Sequence, residues 1–318
     1  MEEGMGVEHR GILRVAYVWI GLNDLKKASR FYRETLGLVE TAGERERVYL
    51  RCWHEPFHHS LIVEQTAENR LVEIGLEVRD GQDLDALQGK LAARGIPVER
   101  AESESVIKGI GRSISFHIPG GHRFRVFDSM EEVGYVTGYA SPDWNVPRAL
   151  RGTPAPLFLG HVGITSPHPE ETIRFLQEVL EFQISEWIKA GDNGSPMSAL
   201  LFRTTNGQDI AVFPGKEAGL HHIAFVKLDE TDILNDSTFL VEDGVKIDLY
   251  GLTLQSYGKT YSLYLYDPFG VRLELFSGGR FSELHPEYQP VVWTESQLKK
   301  ALSYYDNFLN EDFLKASL

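Results

Sequence analysis

The chain repeats itself, and the repeat limits the folds open to it. "YVWIGLNDLKKASRFYRETLGLVE" from Tyr17 and "HVGITSPHPEETIRFLQEVLEFQI" from His161 each read as a strand, a polar turn and a helix. Phe31 and Phe175 fall at the same offset, as do Leu36 and Leu180. Ala28, Phe31, Tyr32 and Leu36 recur at helical spacing, and so do Ile173, Leu176, Val179 and Leu180, so each helix has one apolar face. Asp24 and Pro169 stand where an N-cap and a first-turn proline belong.

A second pair aligns as well. "LVEIGLEV" from Leu71 matches "LHHIAFVK" from Leu220, and each precedes a helical stretch ending near "ARGIPV" or "EDGVKI". Strand pairs then close on "HIPGGHRFRVF" and "LYDPFGVRLELF", with Pro119 matching Pro268 and Gly121 matching Gly270. The pattern predicts an α+β chain of four strand–helix–three-strand units paired into halves. The expected boundaries are 1–135 for the first half, 136–156 for a turn-rich linker, 157–279 for the second half and 280–318 for a tail. The tail opens a helix with a Thr294–Gln297 capping-box pattern.

Composition narrows the class. With 318 residues, 42% of them hydrophobic, the chain can bury a large core. A formal charge of −14 argues against nucleic acid or an anionic membrane as the main partner. Cys52 is the only cysteine, so no internal disulfide can form. The opening "MEEGMGVEHRG" does not read as a signal peptide, and no apolar run reaches the roughly 20 residues of a membrane helix. The expectation is a soluble, cytoplasmic protein.

Strand alternation then sorts the polar residues of the second half. In "LGHVGIT", Val162 and Ile164 oppose His161 and Gly163. In "GVRLELF", the row Val271, Leu273, Leu275 opposes Arg272, Glu274 and Phe276. In "GLHHIAFV", strict alternation puts His222 with Leu220 and Ala224, and His221 with the helix-facing row Ile223 and Phe225. His221 is then expected to be a strand-end residue bonded to backbone or water.

His161, His222 and Glu274 therefore face one concave sheet. Two imidazoles and a carboxylate from separate strands make a facial triad with open positions, suited to Fe(II) or Mn(II). Each alone reads more readily as a satisfied core residue, and Glu274 could pair with Arg272. Joint occurrence at corresponding strand positions favours a metal, because a buried carboxylate needs a counter-charge. At the matching positions the first half has Tyr17, Glu73 and Arg125, a set that can neutralise itself without a metal.

These segments resemble extradiol ring-cleavage dioxygenases of the catechol 2,3-dioxygenase type, in the vicinal oxygen chelate superfamily. "LGHVGIT", "GLHHIAF" and "LYLYDPFGVRLELFSGG" are similar to the family's three ligand-bearing segments. The most specific is the Tyr-x-x-Asp-Pro-x-Gly-x-x-x-Glu run from Tyr264 to Glu274. "EYQPVVWTESQLKKALSYYDNFLNEDFL" resembles the catechol 2,3-dioxygenase tail. "RVAYVWIGLNDLKKASRFYRETLGL" and "IKGIGRS" resemble the N-terminal domain of that enzyme and of homoprotocatechuate 2,3-dioxygenase.

The resemblance implies four βαβββ modules in two barrel-like domains, with metal only in the C-terminal one, and a homo-oligomer. It implies a catecholic substrate opened beside its two hydroxyls by dioxygen, giving a muconic semialdehyde. Tyr264 matches the family's tyrosine that bonds the substrate oxygen. The chain departs from the pattern at two places where the family carries histidine. Gln208 stands at one; at the other Gln255 is nearest by spacing, with Tyr257 a further occupant. Glutamine can donate a hydrogen bond to an oxygen but cannot shuttle a proton near pH 7. A metal-dependent isomerase or lyase without dioxygen, and a weakly active binder of aromatic ligands, are the competing readings. His58 and His59 read as structural, His117 and His122 as solvated residues flanking a turn, and His285 as a tail residue that could approach the pocket.

Overall fold

The computed structural model describes residues 10–134, 149–150, 153–191, 194–303 and 312–318. Strand β1 (Ile12–Leu22) leads into α1 (Leu25–Arg30), which widens into one π turn over Phe31–Thr35. The Asp24 side chain accepts the Lys27 amide at 3.0 Å, the cap that the sequence suggested. Strands β2 (Val39–Gly43), β3 (Arg47–Arg51) and β4 (Leu61–Gln65) complete this module. The next is β5 (Arg70–Val78), α2 (Gly81–Ala93), β6 (Glu99–Ala101), β7 (Ser113–His117) and β8 (Arg123–Phe127).

Of the expected linker, residues 149–150 and 153–156 are described, and they include a ribbon of β9 (Ala149–Leu150) and β10 (Thr153–Pro154). The second half repeats the plan. β11 (Leu159–Ser166), α3 (Pro169–Glu178), β12 (Gln183–Lys189), β13 (Pro196–Phe202) and β14 (Ile210–Pro214) form its first module. β15 (Gly219–Val226), α4 (Glu230–Glu242), β16 (Lys246–Leu254), β17 (Thr260–Tyr266) and β18 (Arg272–Gly278) form its second. The tail adds β19 (Val291–Thr294), a capped turn at Thr294–Gln297 and α5 (Leu298–Leu302). The rest of the helix expected there falls on residues 304–311, outside the described residues. None of the described helices is long and apolar enough to cross a membrane.

Each half is one mixed sheet in a barrel-like α+β domain. The orders are β2-β3-β4-β1-β5-β8-β7-β6 and β16-β17-β18-β15-β11-β14-β13-β12-β19. In both, the first strands of the two modules pair antiparallel at the centre, β1 with β5 and β11 with β15. The helix-facing rows merge into a single core. It takes Ile74, Leu76 and Val126 from one sheet, Ile223, Leu273 and Leu275 from the other, and Leu91 and Leu176 from the helices. The halves are also tied by Tyr32, whose hydroxyl donates to Asp267 at 2.9 Å. His122 is not solvated as expected: it is buried, with Nε2 3.2 Å from the Gly219 carbonyl across the boundary between halves.

The central pairing of the second half contains the main departure from simple alternation. Gly163 is opposite His222, but Ile164 is opposite Leu220, so His221 is the extra residue of a β-bulge. Leu220 thereby rejoins Ile223 and Phe225 in the helix-side core, where strict alternation had put it with His222. His221 leaves that row. Its ring stacks on Phe213, with centroids 4.5 Å apart, and meets Phe313 edge-on.

Candidate metal centre

The inner face of the second sheet brings together the three residues singled out by alternation. His161 comes from β11, His222 from β15 and Glu274 from β18, with Ala224 paired to both His161 and Glu274. They are 3%, 1% and 1% exposed, respectively. His161 Nε2 and His222 Nε2 lie 2.8 Å apart, and each is 3.1 Å from Glu274 Oε2. A glycine makes the approach feasible: a Cβ on Gly163 would fall 2.4 Å from the His222 ring.

Those separations discriminate between coordination geometries. Two donors about 2.1 Å from one ion are about 3.0 Å apart at an octahedral right angle, and about 3.4 Å apart at a tetrahedral one. The observed triangle matches an octahedral face. The local chemistry also fits a cation. Glu274 Oε2 and His161 Nδ1 are buried atoms without a hydrogen-bond partner. Arg272, the alternative partner for Glu274, instead bonds Asp248 at 3.1 Å and the carbonyls of Asp312 and Lys315. Burial pushes the His222 imidazole down to about 4 against the pull of Glu274, so its ring is neutral and its lone pair available. Burial raises the Glu274 carboxyl, but His161 and His222 outweigh it and hold the group well below the usual range, as a carboxylate. The three residues thus fit a divalent ion.

The other predicted site residues surround this triangle. Tyr264 of β17 is paired with Glu274, and its hydroxyl accepts a hydrogen bond from Gln255 Nε2 at 2.9 Å. Burial, then the Glu274 charge, drive the Tyr264 pKa well up, so the phenol keeps its proton and can donate it. Gln208 is buried and lines the same pocket, as does Tyr257, whose hydroxyl lies 3.2 Å from Ser198 Oγ. The cavity left between these side chains is about 20 Å³, room for about one water. His285 is exposed and does not line it. Reasoning from strands missed Phe313, which reaches the pocket from the tail and packs on Tyr250 and Tyr264. No periodic signal marks it; the family-like tail was the one available hint.

The first half keeps the pattern without the chemistry. Tyr17, Glu73 and Arg125 occupy matching registers: Gly75 pairs with both Tyr17 and Arg125. Arg125 Nε and Tyr17 Oη donate to Glu73 Oε1 at 2.7 and 2.8 Å, and Arg125 Nη2 reaches Oε2 at 3.2 Å. His58 and His59 are buried nearby, their Nδ1 atoms 2.8 Å apart. Among the described residues, the only cluster of three or more potential ligands is His161, His222 and Glu274.

Comparison with known proteins agrees with this architecture. Residues 158–275 match the Glyoxalase/Bleomycin resistance protein/Dioxygenase superfamily, and residues 74–131 the catechol 2,3-dioxygenase-like N-terminal domain. The chain is 31% identical to a metapyrocatechase of Pseudomonas sp. (strain CF600), covering 96% of this chain and 98% of that protein. It is 29% identical to a manganese-dependent 2,3-dihydroxybiphenyl 1,2-dioxygenase of Geobacillus genomosp. 3, over 92% and 94% of the two chains. The solved 2,3-dioxygenase LapB from Pseudomonas sp. KL28 superimposes with a TM-score of 0.82 at 29% identity, over 91% of this chain and 99% of that one. The chain belongs to the extradiol dioxygenases of the vicinal oxygen chelate superfamily.

Proposed function

We propose that this chain opens a catechol ring beside its two hydroxyls, using dioxygen and a divalent ion held by His161, His222 and Glu274. The observation that carries the reading is the buried triangle of two imidazole nitrogens and one carboxylate oxygen, 2.8 to 3.1 Å on a side. The donor set suits Fe(II), with Mn(II) as the alternative, and one relative is named as manganese-dependent. When bound, such an ion supplies a redox link between a chelated catecholate and dioxygen, and holds the two together.

The chain's own residues do the rest. Tyr264, held by Gln255, presents its proton to a substrate oxygen beside Glu274. Gln208 offers an amide donor on the pocket wall but no proton to exchange. The apolar side chains of Leu200, Phe213 and Phe313 exclude water and favour an aromatic ring. A ring is larger than the present cavity, so its entry displaces part of the wall. Leu302 and Phe313 are the apolar wall residues that come from the tail, outside the sheet. The product expected is a muconic semialdehyde.

The rival non-redox isomerase or lyase would need a second carboxylate or strong base at the metal. The ligand cluster found among the described residues has one carboxylate. Elemental analysis of the purified protein, followed by oxygen-electrode assays with a panel of catechols, tests the proposal. Stoichiometric iron or manganese with oxygen uptake and a yellow product is the expected result. Turnover without oxygen, or catechol binding with no uptake by the metal-loaded protein, would overturn it.

A further inference from the structure

His221 is fully buried, but outside the helix-side core, with its ring against Phe213 and Phe313. Its two ring nitrogens are both engaged. Nε2 lies 2.6 Å from the backbone oxygen of Phe313, and Nδ1 lies 2.6 Å from Nδ1 of His222. These two contacts fix the hydrogens on both rings. A carbonyl oxygen can only accept, so His221 Nε2 carries a hydrogen. A second hydrogen on Nδ1 would make a buried imidazolium next to the Arg272 guanidinium, whose Nη1 already bonds the His221 carbonyl at 3.2 Å. Nδ1 of His221 is therefore a bare lone pair. It accepts from His222 Nδ1–H, and His222 is left with its lone pair on Nε2, the atom that faces His161 and Glu274.

The start of this relay lies in the tail. Arg272 grips the carbonyls of Asp312 and Lys315 on either side of Phe313, at 2.8 and 3.0 Å. Ser317 and Leu318 pair with Leu220 at the head of β15. The bulge that pulls His221 out of alternation is what lets its ring reach both partners. His161, the other imidazole, has no comparable support: its Nδ1 lacks a hydrogen-bond partner.

We propose that His221 is a positioning residue through which the C-terminal segment Asp312–Leu318 sets the tautomer of His222 needed for metal coordination. The inference rests on the metal-site reading above. It makes metal retention a property of the chain's last residues as well as of the ligands.

The direct test is ¹⁵N NMR of the imidazoles in the metal-free, full-length protein, with His221→Asn for assignment. The expected spectrum shows His222 protonated at Nδ1 and bare at Nε2, and His221 the reverse. A hydrogen on His222 Nε2 would overturn the proposal. Manganese(II) titration followed by EPR gives a second, independent readout. His221→Phe keeps the ring packing but removes both hydrogen bonds, and should weaken manganese(II) binding roughly 10- to 100-fold. His221→Asn, whose Oδ1 can still accept from His222, should retain wild-type affinity. Unchanged affinity in His221→Phe, or equal loss in both variants, would refute the relay. Failure of the wild-type protein to bind manganese(II) or iron(II) at all would strike the metal-site reading instead, leaving the NMR result to judge the relay.

Discussion

Tyr17, Glu73 and Arg125 stand in the first half where His161, His222 and Glu274 stand in the second, in the same strand registers. Both trios are buried on the inner face of a sheet, and both contain one carboxylate. In the first half that carboxylate has a guanidinium at 2.7 Å and a phenol at 2.8 Å, so its charge and lone pairs are satisfied by protein alone. In the second its nearest partners are the His161 and His222 ring nitrogens at 3.1 Å, with no guanidinium beside it among the described residues, and its Oε2 has no hydrogen bond. The duplicated scaffold supplies the location in both cases. What separates a structural ion pair from a ligand set is whether the local charge sums to zero without a cation.

Substitutions can break that contrast. Glu274→Gln should have the largest effect, removing the only charged donor. Metal affinity should fall by more than the roughly 100-fold upper range for losing an outer-shell partner, so that metal is lost and oxygen uptake with it. Elemental analysis after dialysis reads it. The matching change in the first half, Glu73→Gln, should leave metal stoichiometry intact but strand Arg125, 3% exposed, in the interior. Breaking a buried pair this way costs about 3–5 kcal/mol, visible in urea unfolding, and replacing both partners with apolar residues should recover much of it. If Glu73→Gln lost metal with its stability unchanged, the division between the halves would be wrong.

Smaller effects sharpen the comparison. Gly75→Ala would put a Cβ 2.0 Å from the Tyr17 ring, and Gly163→Ala one 2.4 Å from the His222 ring. Each should destabilise by about 1–3 kcal/mol through overpacking, but only Gly163→Ala should also weaken metal binding. Last, Gln208→His would restore a group able to exchange protons within the pocket. Catechol turnover should rise about tenfold, below the 10²–10⁴ usual for a fully positioned acid–base residue. No rise would mean that Gln208 does not face the reacting atoms.

The repeat, the four modules and the triad were legible because each depends on local periodicity. Apolar residues two apart mark a strand face, and matched strands bring matched positions together. The same logic failed at "LHHI", where one extra residue breaks the period of two. Alternation put His222 on the right face but assigned Leu220 and His221 to the wrong ones. His122 was misjudged for a different reason: a turn residue looks solvated until the partner half covers it.

The amino-acid order by itself determined the duplicated βαβββ plan, the strands that carry His161, His222 and Glu274, and the substitution of that trio by Tyr17, Glu73 and Arg125 in the first half. Those are statements about pattern, and pattern is local. Only the tertiary structure decided that Phe313, 39 positions beyond Glu274 in the sequence, closes the pocket and anchors His221. A contact between a tail and a bulge has no period to announce it. It exists because buried donors and acceptors must find partners wherever the folded chain brings them, and here the last residues bring theirs to the back of a candidate metal ligand.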